Sequence, residues 1–173
     1  SGKSTQVRDL GSKLQKKKYE VITTQEPTKK SVIGSLINRI LYNKAVVPDE
    51  VLALLFAADR ADHTINTIIP ALEKGSIVIS DRYVYSSLAY QSRGMKKRFD
   101  LDWVQSINQA AIEPDLVIFL DATPEDAMSR LQKGQKRVQD HNFFENLEVQ
   151  TRIRDAYYDI FNFHQADNEI QNT

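Results

Sequence analysis

The sequence predicts an α/β fold, a parallel sheet with helices on both faces. Short continuous apolar runs at Tyr19–Thr24 (YEVITT), Ser76–Ser80 (SIVIS) and Leu116–Leu120 (LVIFL) read as strands, the last two as buried ones. Stretches with helical spacing separate them, the alternation that builds a covered parallel sheet. The chain has 173 residues, 41% hydrophobic and 27% charged, which suits one domain over residues 1–173 with its own core.

Val7, Leu10 and Leu14 recur at helix spacing after Ser1-Gly2-Lys3-Ser4-Thr5, and the helix runs into Lys16-Lys17-Lys18. The first strand follows and is left through Gln25-Glu26-Pro27-Thr28. Ile33, Leu36, Ile37, Ile40 and Leu41 mark a second helix. Pro48-Asp49-Glu50 starts a long apolar one from Val51 to Lys74, which Pro70 is expected to end or kink. The second strand closes on Asp81-Arg82-Tyr83. A helix near Ser87, a basic loop over 93–98 and a helix marked by Trp103, Ile107, Ala110 and Ala111 precede the third strand, which ends on Asp121. Thr123-Pro124-Glu125-Asp126 then reads as a helix start, with a capping Thr, Pro at the first helical position and two early acids. A polar basic stretch leads to a final helix with Leu147, Ile153, Tyr157 and Ile160. No strand pattern precedes Ser1 or follows the last helix, so the sheet is expected to lack its first and last strands in this chain.

Composition excludes several functions. Lys plus Arg and Asp plus Glu are 23 each, which argues against a dedicated binder of nucleic-acid polymers. There is no cysteine, hence no disulfide and no thiolate metal site, and the three histidines have no ligand spacing. No apolar run approaches the ~18 residues of a membrane span and no signal peptide is evident, so a cytoplasmic protein without membrane contact is expected. Anion chemistry must come from a few placed cations.

Gly2-Lys3-Ser4-Thr5 has the form of the tail of the phosphate-binding loop G-x-x-x-x-G-K-[ST], and the helix that the motif requires follows directly. In that loop backbone N–H groups and the helix N-terminus cradle the phosphates of ATP. Lys3 would reach the β/γ oxygens and Ser4 would hold Mg²⁺. Arg130, Lys133, Lys136 and Arg137 form a second cationic group, expected to act from a lid at about 133–142. Phe56 and Arg60 lie four apart on one helix face, where a flat ligand with an acceptor edge would meet both ring and guanidinium. Ser87 and Gln91 repeat that spacing beside Tyr90. In parallel sheets ligands collect beyond the carboxyl ends of strands, which singles out Glu26, Asp81, Arg82 and Asp121.

The stretches from Leu54 through His63 (LLFAADRADH) and from Ile79 through Gln91 (ISDRYVYSSLAYQ) resemble the two signature segments of thymidylate kinases. Thr24-Gln25-Glu26-Pro27-Thr28 is similar to the family's T-R-E-P segment, and Pro114 through Glu125 to its next strand and helix. The resemblance implies a three-layer P-loop kinase fold, a homodimer, and Mg²⁺-dependent transfer of a phosphoryl group from ATP to dTMP. It implies that Phe56 stacks on thymine, that Arg60 and Ser87 bond its edge with Gln91 beside it, and that Tyr90 lies near the sugar C2′. It further implies that Arg82 binds the acceptor phosphate, that Glu26 lies near the transfer centre, and that Asp81 either orients Arg82 or shares the Mg²⁺ shell. The catalytic set is then Lys3, Arg82, Glu26 and Arg137. Gly2, Lys3, Ser4, Thr5, Arg130, Lys133 and Lys136 would hold ATP. Two positions depart from the family pattern, which has Arg where Gln25 and Asn38 stand; Arg39 is a candidate substitute. The rivals are another nucleotide or deoxynucleoside kinase on the same loop and a non-catalytic nucleotide-binding protein.

Overall fold

The computed structural model describes residues 2–42, 45–94, 98–126, 129 and 147–171, the last ten as backbone only. In chain order these form α1 (Lys3–Lys16), β1 (Val21–Gln25), α2 (Val32–Tyr42), α3 (Asp49–His63), a π-helical turn (Thr64–Ile68) and α4 (Ile69–Glu73). Then come β2 (Ile77–Asp81), α5 (Val84–Ala89), a second π turn (Tyr90–Gly94), α6 (Leu101–Ile107) and α7 (Leu147–Gln171).

β1 and β2 pair in parallel, Val21 with Ile77 through Gln25 with Asp81, so both carboxyl ends stop side by side. The ladder continues one residue further, where the Glu26 N–H donates to the Asp81 carbonyl at 3.1 Å. α1 packs across both strands and α4 against β2. Both strands are half-buried rather than fully buried.

The third expected strand does not form. Among the described residues Leu116–Leu120 has no regular secondary structure and pairs with no strand, and Leu116 and Ile118 are 76% and 61% exposed. An apolar run supplies the side-chain half of a strand; the other half is a neighbour that takes its N–H and C=O groups, and no described segment does so. The segment is tied instead to α7. Asp121 makes two bonds to Arg154, 2.7 and 2.8 Å, and accepts from the Tyr158 hydroxyl at 2.7 Å. The Arg154 and Tyr158 donors hold the Asp121 carboxyl down to about 2. Asp121 is therefore a structural tie, away from the cleft described below.

The long helix does not break at Pro70. Its ladder widens by one residue over Thr64–Ile68, where the Ile69 N–H reaches the Thr64 carbonyl. Proline has no N–H for the carbonyl four residues back and its ring crowds that group, so a π turn just before it relieves the conflict. The Thr123 cap is observed, its hydroxyl accepting from the Asp126 N–H at 3.1 Å. Two clusters of buried apolar residues stand out among the described residues. Leu88, Ala89 and Val104 meet Val149, Ile153, Ala156 and Ile160 of α7, while Ile37 and Leu52 join α2 to α3; Phe99 packs against both.

Candidate functional site

Gly2 caps α1 at φ 85°, a left-handed conformation that costs glycine nothing, and its carbonyl accepts from the N–H groups of Thr5 and Gln6. Lys3 and Ser4 are thereby set on the first turn of α1, above the ends of β1 and β2. The result is an open cleft of about 430 Å³ lined by Gly2, Lys3, Ser4, Thr5, Gln25, Glu26, Pro27, Asp81 and Arg82. The Ser4 hydroxyl donates to Asp81 Oδ2 at 2.6 Å. The second oxygen, Oδ1, is buried and has no partner among the described residues. Burial, and then the charge of Arg82, bring the Lys3 ammonium down to about 8, against the opposing pull of Asp81. Lys3 thus stays charged at neutral pH but is poorly solvated, which strengthens its pull on a phosphate.

Arg82 is a non-glycine residue at φ 75°, a strained conformation that turns it out of the strand line. The Ser80 hydroxyl holds its carbonyl at 2.7 Å, and its guanidinium lies 4.9 Å from the centre of the Tyr90 ring. Burial works against the Arg82 charge, but the Tyr90 and Tyr157 hydroxyls and Asp81 outweigh it and raise its pKa.

Behind the cleft lies a buried ionic network. Arg60 is 2% exposed. Its Nε donates to Glu26 Oε2 at 2.8 Å, with one terminal nitrogen 2.7 Å from the same oxygen. The other terminal nitrogen donates to Ser87 Oγ at 2.8 Å and to Asn108 Oδ1. Glu26 Oε1 faces His63 Nδ1 at 3.0 Å, and His63 Nε2 meets the Thr24 hydroxyl at 2.7 Å. A carboxylate only accepts, so Nδ1 carries the proton. Glu26 lines the cleft, yet both of its oxygens are occupied by Arg60 and His63. Phe56 sits half-buried one turn before Arg60, against the α2–α3 cluster. Gln91 is 2% exposed and its Oε1 has no partner among the described residues. Tyr90 and Gln91 open the second π turn, a distortion common at functional sites.

Asp59, unmarked in the sequence, organises the loop that leaves β1. Its carboxylate accepts from the Thr28 N–H and hydroxyl at 2.8 and 2.5 Å and from the Ser31 hydroxyl at 2.8 Å. Asn38 donates to the carbonyls of Thr28 and Gly34 at 3.1 and 2.8 Å, bracing that loop instead of facing the cleft; Arg39 is exposed. Gly34 is required here, since a Cβ would fall 2.1 Å from the Thr28 carbonyl oxygen. Asn108, His63, Asp59 and Thr28 are the network members that motif spacing did not reveal. For Asp59 and His63 the available signal was a polar residue at a buried position of an otherwise apolar helix; Thr28 in its loop and Asn108 beyond the last turn of α6 carried none. Arg130, Lys133, Lys136, Arg137 and the proposed lid lie outside the described residues.

A Gly-Lys-Ser-Thr helix start set beside the carboxyl ends of two parallel strands defines a P-loop nucleotide-binding protein. The family model described as thymidylate kinase matches residues 1–172, and the chain belongs to that family, with its P-loop kinase fold. It is 43% identical over 166 residues to a probable thymidylate kinase of Thermococcus gammatolerans, covering 91% of this chain and 76% of the relative. It is 42% identical to that of Pyrococcus horikoshii, covering 91% and 76%, and 37% identical to the thymidylate kinase of Acholeplasma laidlawii, covering 92% and 79%.

Proposed function

We infer that the protein transfers the γ-phosphoryl group of ATP to dTMP, giving dTDP and ADP. Family membership carries the reaction. The observation that carries the assignment of roles is the cleft where Lys3, Ser4, Asp81 and Arg82 meet, backed by the Arg60–Ser87 network. The rival deoxynucleoside kinase is not favoured: its acceptor is a hydroxyl, which gives the half-buried Arg82 cation no dianion to hold.

Lys3 and the first N–H groups of α1 hold the donor phosphates, and Arg82 holds the acceptor phosphate from the strand end opposite. Each places positive charge where negative charge spreads in transfer, and catalysis is positioning and charge stabilisation without a covalent enzyme intermediate. Ser4 Oγ and Asp81 Oδ1, which has no partner among the described residues, are hard oxygen donors that fit Mg²⁺, which when bound would supply positive charge to offset that of the phosphates. Arg130, Lys133, Lys136 and Arg137 add cations over the donor phosphates.

Base recognition follows from hydrogen-bond polarity. Ser87 accepts from Arg60, so its own proton is free to donate to an acceptor such as thymine O4. Gln91 Oε1 is an acceptor suited to thymine N3–H. Cytosine presents the reverse pattern, an amino donor and an acceptor N3. Phe56 supplies the stacking face, and Tyr90, under Arg82, crowds the sugar. A coupled ADP-release assay over the four deoxynucleoside monophosphates and thymidine tests the reading, with dTMP expected to lead and thymidine to be inert. Phe56→Ala should lower dTMP affinity by ~1–3 kcal/mol, about 5- to 150-fold. Arg60→Met should narrow the preference for dTMP over dCMP; an unchanged preference removes Arg60 from base reading.

The same reading makes the protein a cytoplasmic homodimer. Among the described residues no helix is long and apolar enough to cross a membrane. Val51, Leu54 and Ile65 lie on an exposed stripe of α3 and its π turn, Ile65 being 59% exposed. Such a stripe suits a self-complementary two-fold contact. Ile65→Glu should convert dimers to monomers in sedimentation equilibrium; a monomeric parent protein would refute the interface.

A further inference from the structure

We propose that Asn108, at the end of α6, is a positioning residue for base selectivity, acting through the Arg60 guanidinium; this rests on the reading of Arg60 and Ser87 given above. Asn108 is 5% exposed and 48 residues from Arg60 in sequence. Its Nδ2 donates to the Val104 carbonyl at 2.8 Å, which fixes the amide so that only the oxygen faces Arg60.

The guanidinium fork is therefore pinned on two sides. Glu26 takes Nε and one terminal nitrogen, and Asn108 takes one N–H of the other. That leaves the second N–H of the same nitrogen aimed at Ser87 Oγ. Ser87 becomes the acceptor in that bond, and its proton turns outward as a donor. Asn108 touches no base, yet it decides what the base meets. Without its oxygen a buried N–H loses its partner, the fork swings, and a charged donor becomes available to any acceptor on a base. The cost should fall on discrimination before it falls on binding.

Asn108 also closes the carboxyl end of α6, so a structural role competes with the positioning one. Two substitutions separate them. Asn108→Ser keeps a hydroxyl for the Val104 carbonyl but is too short to reach Arg60. Asn108→Asp keeps an oxygen for Arg60 but loses the donor to Val104. The readout is the ratio of kcat/KM for dTMP to that for dCMP, with KM for ATP and thermal stability measured alongside. Asn108→Ser should lower the ratio by about tenfold, the scale of one charge-assisted hydrogen bond, with KM for ATP unchanged. Asn108→Asp should keep the ratio while losing stability. An unchanged ratio in Asn108→Ser, or a ratio that collapses in Asn108→Asp, overturns the proposal. Arg60→Met in the same series distinguishes the failures. If it shifts the ratio and Asn108→Ser does not, Asn108 alone is misassigned; if neither does, the base does not meet this network and the proposal falls with that reading.

Discussion

Lys3→Ala is expected to abolish phosphoryl transfer while leaving dTMP affinity within about twofold of the parent, as one lost charge at the transferred group alone would do. The lysine stands on the first turn of α1 and lines the cleft with Ser4, Asp81 and Arg82. On the proposed reading the acceptor nucleotide would be held by Arg82 and by the Phe56–Arg60 face of α3, and Phe56 and Arg60 do not line the cleft that Lys3 lines. Its ammonium is drawn down to about 8 by burial first and by Arg82 second, so it is a poorly hydrated cation. A donor aimed at charge that develops in the transition state is worth about 10²–10³-fold in kcat, and a full cation should exceed that. Titration calorimetry with dTMP and single-turnover transfer on the same preparation check both halves. Turnover within tenfold of the parent would remove Lys3 from the chemistry, and lost dTMP binding would place it on the acceptor.

The residues legible in sequence were those whose chemistry is local. Gly2-Lys3-Ser4-Thr5 needs only the helix that follows it, and Asp81-Arg82 only the strand before it. Thr123 was readable as a cap because the Asp126 N–H it meets is three residues away. Leu116–Leu120 shows the limit: apolar content argues for a strand, but a ladder is a property of two segments. The Arg60 cradle shows it again. Its five members come from β1 and the residue after it, α3, α5 and the end of α6, with sequence separations of 27 to 48 from Arg60 for the direct partners. Helix spacing placed Arg60 on the Phe56 face and required a partner for it, but could not choose among Glu26, Ser87 and Asn108. Asn38 is instructive in another way. Expected from the resemblance to stand where an arginine would face the acceptor phosphate, this residue donates to two backbone carbonyls and stiffens the loop after β1.

Glu26→Ala should cost about 3–5 kcal/mol of stability, because it strands the buried Arg60 charge without a counter-ion. For a chain of this size that is a fall of about 6–20 °C in Tm. Arg60→Met should cost a comparable amount by stranding the Glu26 carboxylate, although His63 still donates to one of its oxygens at 3.0 Å and softens the loss. The double variant Glu26→Ala/Arg60→Met removes both charges together. Around the vacated pair it leaves the uncharged Ser87 and Asn108, whose unmet bonds cost about 1–3 kcal/mol each. The double should therefore be far more stable than the sum of the singles predicts, with a coupling of at least about 2 kcal/mol. An exposed ion pair gives a different result, with singles near neutral and coupling below about 1 kcal/mol. The 2% and 3% exposures of the two side chains favour the first outcome. Chemical denaturation of the parent, the two singles and the double at one pH decides between them. Singles within about 1 kcal/mol of the parent would mean that water reaches Arg60, and the guanidinium would then be too loosely held to orient the Ser87 hydroxyl.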